Sequence, residues 1–179
     1  MMENRKTKSK KLKNIILIGM PGCGKSTVGI VLAKQLGYGF LDSDLLIQAR
    51  EHRLLSEIIS EDGLDAFNKI EEDVNSSIVA DRCVIATGGS VIYGPKAMEH
   101  LRSIGTVIYL KLSFSSIEDR LGDLHARGVS VKEGQTLLDL YQERIPLYEK
   151  YAHLTIDAEN MRIREVVKEI SRQLKMRRE

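Results

Sequence analysis

The run Asn14-Ile15-Ile16-Leu17-Ile18-Gly19-Met20-Pro21-Gly22-Cys23-Gly24-Lys25-Ser26-Thr27 changes character twice. Ile15-Ile16-Leu17-Ile18 is too short and too β-branched for a helix, and Asn14–Ile18 reads as a buried strand. Gly19-Met20-Pro21-Gly22-Cys23-Gly24-Lys25-Ser26 then fits the pattern G-x-x-x-x-G-K-[ST] without exception. From Lys25 onward Val28, Val31, Leu32 and Leu36 share one helical face, and Gly37 is a natural stop. Strand, glycine-rich turn and helix in this order make a phosphate-binding loop. The glycines let successive backbone N–H groups turn inward around an anion, and the helix points its positive end at it. Gly22, Cys23, Gly24, Lys25, Ser26 and Thr27 are therefore the expected ATP contacts. Lys25 would reach the β- and γ-phosphates, and the Ser26 hydroxyl would bind Mg²⁺.

Working outward, apolar runs alternate with amphipathic stretches. Gly39–Leu41 reads as a second short strand ending at Asp42, and residues 44–80 as helical in two or three pieces, with Phe67, Ile70, Val74 and Ile78 at a helical period. Cys83–Ala86 is a third strand closed by Thr87-Gly88-Gly89. A helix opened by Gly94-Pro95 and running to about Arg102 follows, then a fourth strand at Thr106–Leu110. Ser115-Ser116-Ile117-Glu118 resembles a capping box, and Pro146 is expected to end or kink the helix that resumes at Thr136. His153–Ile156 is a fifth strand, and Ile163, Val166, Val167, Ile170 and Leu174 mark the last helix. Strands alternating with helices imply parallel strands joined by right-handed crossovers. The expected architecture is a three-layer α/β sandwich on a five-stranded parallel sheet, of the P-loop NTPase type that nucleoside-monophosphate kinases share.

The length of 179 residues fits one domain, residues 14–179, behind a basic tail at residues 1–13. The tail holds six Lys/Arg against Glu3, so the net charge of +2 leaves the rest of the chain at about −3. The tail is expected to be solvated and mobile, and an acidic body with 5% aromatics argues against nucleic acid as a partner. No apolar run approaches the roughly 18 residues needed to span a bilayer. Cys23 and Cys83 stand far apart and the four histidines are scattered, which argues against a zinc site and suits a reducing cytoplasm. The expected protein is a cytoplasmic monomer.

Asp42-Ser43-Asp44 follows the second strand, at the edge where α/β sheets bind ligands. With this spacing one carboxylate, Asp42, can face Mg²⁺ while the other, Asp44, faces an acceptor hydroxyl. Phosphoryl transfer needs both charge neutralisation and an oriented nucleophile. No strand ends in the apolar-run-plus-Asp signature of switch and motor ATPases, since Thr106–Leu110 runs on into Lys111-Leu112-Ser113. The pattern favours a small-molecule transferase over a hydrolytic machine or a nucleotide sensor. Residues 122–135, with three glycines and mixed charge, read as a mobile loop flanked by Arg120 and carrying Arg127.

These pieces resemble the shikimate kinase family from about Asn14 to Leu174. Besides the phosphate loop, the resemblance rests on Leu41-Asp42-Ser43-Asp44, Glu61-Asp62-Gly63 with Phe67 and Ile70-Glu71, Ala86-Thr87-Gly88-Gly89, Val107-Ile108-Tyr109-Leu110, and Glu143-Arg144 with Pro146-Leu147-Tyr148. It implies ATP-dependent phosphorylation of shikimate to shikimate 3-phosphate in aromatic amino-acid biosynthesis. Lys25, Asp44 and Arg127 would be catalytic, with Arg127 a lid arginine on the transferring phosphoryl group. Arg120 would lie against adenine, and Asp42 with Ser26 would hold Mg²⁺. Asp44, Gly88, Gly89, Arg144 and the position of Asn68 would bind the acceptor. Helices over about 44–80 would carry that acceptor site, and the lid would span about 120–135.

Three positions depart from the family pattern. Asn68 stands where an arginine is usual as a second clamp on the acceptor carboxylate, and an amide does not replace a bidentate guanidinium. Ser90 stands in place of a third glycine, and Gly128-Val129 follows the lid arginine instead of Pro-Leu. The changes spare the ATP machinery and fall mostly on the acceptor side. They leave open another small hydroxylated acceptor, gluconate-like or a nucleotide.

Overall fold

The computed structural model describes residues 14–121, 129–132 and 134–177. In chain order its elements are β1 (Asn14–Ile18), α1 (Lys25–Leu36), β2 (Gly39–Asp42), α2 (Ser43–Glu51), α3 (Leu55–Asp62), α4 (Leu64–Ser76), β3 (Cys83–Ala86), α5 (Pro95–Ile104), β4 (Gly105–Lys111), α6 (Phe114–Leu121), α7 (Leu137–Tyr151), β5 (Leu154–Asp157) and α8 (Ile163–Met176). A 3-10 turn at Val91–Tyr93, which the sequence did not announce, separates β3 from α5.

Every residue of β1 is buried because the strand lies mid-sheet, between β3 and β4, in the order β2-β3-β1-β4-β5. All four pairings are parallel. Ile15 to Leu17 register against Val84 to Ala86 on one side and Thr106 to Ile108 on the other, which makes near-continuous apolar runs the fitting sequence. The chain leaves β1 in one direction along the sheet and β2, β3 and β4 in the other. Right-handed crossovers therefore put α1 on one face and the intervening helices on the opposite one, and α8 returns to pack on α1. A smaller core of Ile47, Ile58, Phe67 and Val74 joins α2, α3 and α4 beside the sheet.

Asn14 is a polar residue in an apolar strand, and the structure supplies the reason. It is 2% exposed. Its Nδ2 donates to the carbonyls of Ala80 at 2.7 Å and Ile104 at 3.2 Å, and its Oδ1 accepts from the Cys83 N–H at 3.0 Å. One side chain thus ties the start of β1 to the entry of β3 and the end of α5.

Two local expectations change. Pro146 does not end a helix, because α7 continues through it to Tyr151. Pro146 and Gln142 are both exposed, so water can serve the carbonyl that loses its N–H partner, while Arg144 and Tyr148 anchor the opposite face in the interior. The cap of α6 is Ser113, whose Oγ accepts from the Ser116 N–H at 3.3 Å. Ser115 and Ser116 lie inside the helix, since Phe114 already begins it and packs edge-on against Tyr141. The tail at residues 1–13, and residues 122–128 of the expected lid with Arg127 and Gly128, lie outside the described residues.

Asn14→Ala should destabilise the fold by about 2–4 kcal/mol, because it strands two half-buried carbonyls and one buried N–H. Urea unfolding should show a lower midpoint with unchanged slope. A shift below about 0.5 kcal/mol would mean that the three bonds are not structural.

Candidate active site

The carboxyl ends of β1 and β3 are adjacent, yet their chains depart to opposite faces of the sheet. A crevice opens at such a switch point. Thr87, just past β3, holds it together by donating its N–H and Oγ to the Leu17 carbonyl, at 3.2 and 3.0 Å. The phosphate loop lies on one side and Thr87–Ser90 on the other, and between them is a cavity of about 510 Å³. Its lining includes Lys25, Ser26, Asp44, Gly88, Gly89 and Arg144. Residues far apart along the chain thus meet in one space.

In the loop, Gly22 and Gly24 have φ of 76° and 95°, left-handed values that favour glycine. Gly24 is the N-cap of α1 and makes no side-chain cap, so the helix's first N–H groups face the loop. Lys25 is buried, and its Nζ donates to the carbonyls of Gly19 and Met20, both at 2.9 Å. The ammonium is thereby held over the loop. The Ser26 Oγ donates to Asp42 Oδ2 at 2.6 Å. The other oxygen of Asp42 accepts from the Asp44 N–H at 3.0 Å and caps α2. A hydroxyl and a carboxylate in contact are hard oxygen donors of the kind Mg²⁺ takes, so this pair fits that ion.

Asp44 begins α2 with its Oδ1 buried and unpartnered. Burial pushes its carboxyl up to about 6, the charge of Asp42 adds to the rise, and Lys25 opposes it. Gly88 is glycine for a steric reason. A Cβ there would sit 2.3 Å from Glu71 Oε1 and 2.7 Å from Asp44 Oδ1. At Gly89 it would meet the Pro21 ring at 2.7 Å. The Gly89 carbonyl accepts from the Tyr148 hydroxyl at 2.6 Å, and Tyr148 stacks on Tyr109 with centroids 5.1 Å apart.

Arg144 is 0% exposed, and its hydrogen-bond partners among the described residues are neutral oxygens. Its Nε donates to Tyr93 Oη at 3.2 Å and a terminal nitrogen donates to the Ser130 carbonyl at 2.8 Å. A buried guanidinium is costly unless an anion meets it, and it matches a carboxylate in a two-bond geometry. Among the described residues lining the cavity it is the one arginine. Asn68 is not among them. Its neighbour Phe67 is, and Asn68 Oδ1 is buried without a partner. Cys23 and Arg120 line a second cavity of about 310 Å³ with Gly24, Thr27, Leu110 and Val166, beyond the phosphate loop from Asp44.

Glu71 is a residue that sequence reasoning left without a role. It is 2% exposed, its Oε1 has no partner, and burial pushes its carboxyl up to about 8. The available signal was a glutamate one turn after Phe67 on the buried face of α4. Tyr93, Ser130 and Tyr148 were also missed, because their contacts join distant segments.

A carboxyl raised from the ordinary 4.5 to about 8 binds its proton more tightly in the folded than in the unfolded chain. Its stabilising contribution is full below about 4.5 and is lost as pH rises toward about 8. Glu71→Gln should therefore match wild-type stability near pH 5 and exceed it by several kcal/mol near pH 8 in urea unfolding. Parallel stability curves for the two proteins across that range would contradict the assignment.

A family model described as shikimate kinase matches residues 21–175. The shikimate kinase of Thermodesulfovibrio yellowstonii is 38% identical over 162 residues, covering 89% of this chain and 93% of the relative. That of Clostridium botulinum is 37% identical over 163 residues, covering 90% and 97%. Among solved structures, the shikimate kinase from Acinetobacter baumannii in complex with shikimate has a TM-score of 0.84 at 33% identity, covering 93% of this chain and 94% of that one. A deoxyadenosine kinase from M. mycoides, 16% identical with a TM-score of 0.58, shares the fold alone. With a match that spans nearly the whole domain, this chain belongs to the shikimate kinase family of ATP-dependent small-molecule kinases.

Proposed function

We propose that shikimate binds in the 510 Å³ cavity with its carboxylate on Arg144 and a ring hydroxyl at Asp44, in line with the γ-phosphate of ATP held by the loop from Gly22 to Thr27. The observation that carries this reading is that Lys25, Asp44 and a buried Arg144, with no carboxylate partner among the described residues, line one cavity. Phosphoryl transfer asks the protein mainly for alignment and for charge placed where the transferring group develops it.

Each role follows from position. The N–H groups at the start of α1 and the Lys25 ammonium bind the β- and γ-phosphates, for which Lys25 exchanges its two carbonyl partners. Asp44, with an unpartnered oxygen and a carboxyl near 6, accepts a hydrogen bond from the attacking hydroxyl and can take its proton as the new P–O bond forms and ADP departs. Gly88 and Gly89 let the acceptor lie against backbone, and the Tyr148 bond to the Gly89 carbonyl keeps that backbone in place. Ser26 and Asp42 would hold Mg²⁺, which supplies neutralisation of phosphate charge. Arg120 contributes to the nucleotide cavity, where Cys23, Leu110 and Val166 offer an apolar surface to a purine. Arg127 is assigned to the transferring phosphoryl group on its place in the sequence. Asn68, adjacent to Phe67, adds no second cation for the carboxylate, so Arg144 carries that contact alone among the described lining residues.

Shikimate should stimulate ADP release from ATP at about 1 s⁻¹ or faster, within the ordinary kinase range, whereas quinate and gluconate should not. Lys25→Ala and Asp44→Asn should each lower kcat by at least about a hundredfold with the fold retained by circular dichroism. Near-wild-type turnover in either variant would overturn the assigned roles. Turnover with gluconate but not shikimate would overturn the acceptor.

A further inference from the structure

Arg144 is the acceptor's anchor, yet it makes no ion pair with its neighbour Glu143. The two are linked through a third residue. The Tyr93 hydroxyl donates to Glu143 Oε1 at 2.6 Å and accepts from Arg144 Nε at 3.2 Å, so its donor and one acceptor position are both in use. A phenol whose proton is drawn toward a carboxylate is a stronger acceptor, and the chain Arg144–Tyr93–Glu143 reinforces itself. The Tyr93 ring also lies under the guanidinium, 5.3 Å from its carbon to the ring centroid.

Glu143 makes a second set of contacts. It accepts from Gln135 Nε2 at 2.9 Å and from Lys132 Nζ at 3.1 Å. Arg144 meanwhile donates to the Ser130 carbonyl at 2.8 Å. Ser130, Lys132 and Gln135 are therefore pinned by two consecutive residues of α7. The Lys132 pair contributes little, since that lysine side chain is 69% exposed. The weight falls on the bonds to Tyr93 and Gln135. The Tyr93 hydroxyl first, and Lys132 after it, holds the Glu143 carboxyl below its usual range, so it is charged at neutral pH.

We propose that Glu143 is a positioning residue for shikimate binding: through Tyr93 and through Ser130, Lys132 and Gln135 it fixes the orientation in which Arg144 meets the substrate carboxylate. This rests on the assignment of Arg144 to that carboxylate. A guanidinium held at Nε, at one terminal nitrogen and across its face presents its remaining edge in one direction. With no second arginine at position 68, such preorganisation matters more to the affinity for shikimate. Glu143 lines neither the cavity assigned to the acceptor nor the one assigned to the nucleotide, so its loss should act on one kinetic constant.

Steady-state kinetics with both substrates varied, alongside thermal unfolding, test this. Glu143→Ala should raise the KM for shikimate roughly tenfold, the loss expected for a charged hydrogen bond, with kcat within about twofold and the KM for ATP unchanged. Glu143→Gln, which keeps an oxygen facing Tyr93, should recover most of that loss. Tyr93→Phe should raise the same KM a few fold, and adding it to Glu143→Ala should cause little further change, because both cut one chain. Arg144→Ala separates the two levels. An unchanged KM for shikimate in that variant overturns the carboxylate assignment and this proposal with it. A raised KM in Arg144→Ala with no change in Glu143→Ala or Tyr93→Phe overturns the positioning role alone. That role is equally overturned if kcat and both KM values shift together with the unfolding temperature, the signature of a merely structural residue. Should Glu143→Ala fail to fold, Tyr93→Phe carries the test.

Discussion

The pairing of β1 with β3 is the contact on which everything else depends. It sets the phosphate loop beside Thr87-Gly88-Gly89 and sends the two following segments to opposite faces of the sheet. The crevice is thus a product of strand order, and strand order is secured by apolar burial on both faces of β1. Asn14 at one end and Thr87 at the other hold the pairing with side-chain bonds, so the two ends of the shared edge cannot drift.

Around that crevice the protein buries several ionisable groups. Lys25, Glu71 and Arg144 are all nearly solvent-free, and Asp44 has a buried oxygen. Removing charges from water is expensive, and no direct ion pair joins these groups among the described residues. The cost is reduced in different ways. Lys25 is solvated by two backbone carbonyls, Arg144 by a phenol and a carbonyl, and Glu71 is favoured as the neutral acid. Neither cation meets a carboxylate among the described residues, and the apolar core supplies the stability that the site draws on.

The acceptor side shows how specificity can rest on few residues. Asn68 stands where the family pattern has a cation, and Arg144 is the single arginine among the described residues that line the cavity. The remaining arginine is braced by Tyr93 and, through it, by Glu143. Gly88 and Gly89 contribute by having no side chain. They allow α4, Pro21 and backbone to approach closely enough to shape the cavity.

Much of this was legible in the sequence. The phosphate loop is a local motif whose spacing encodes its geometry, and the α/β alternation follows from short apolar runs set between stretches of period 3.6. Five strands were readable for that reason, as was the helix stop at Gly37. What the sequence did not reveal depends on contacts between distant segments. Asn14 looked like an ordinary strand residue until Ala80, Cys83 and Ile104 were beside it. Pro146 was expected to end or kink its helix, and α7 runs through it to Tyr151 with Arg144 and Tyr148 packed in the interior. Tyr93 and Glu143 carry no local signature and Glu71 only its place one turn after Phe67, because burial, lost solvation and a hydrogen-bond chain exist only once α4, the turn after β3 and α7 meet. Local chemistry is written along the chain and can be read there. The charge state of a buried carboxyl and the orientation of a buried arginine are set by neighbours that only the folded structure brings together.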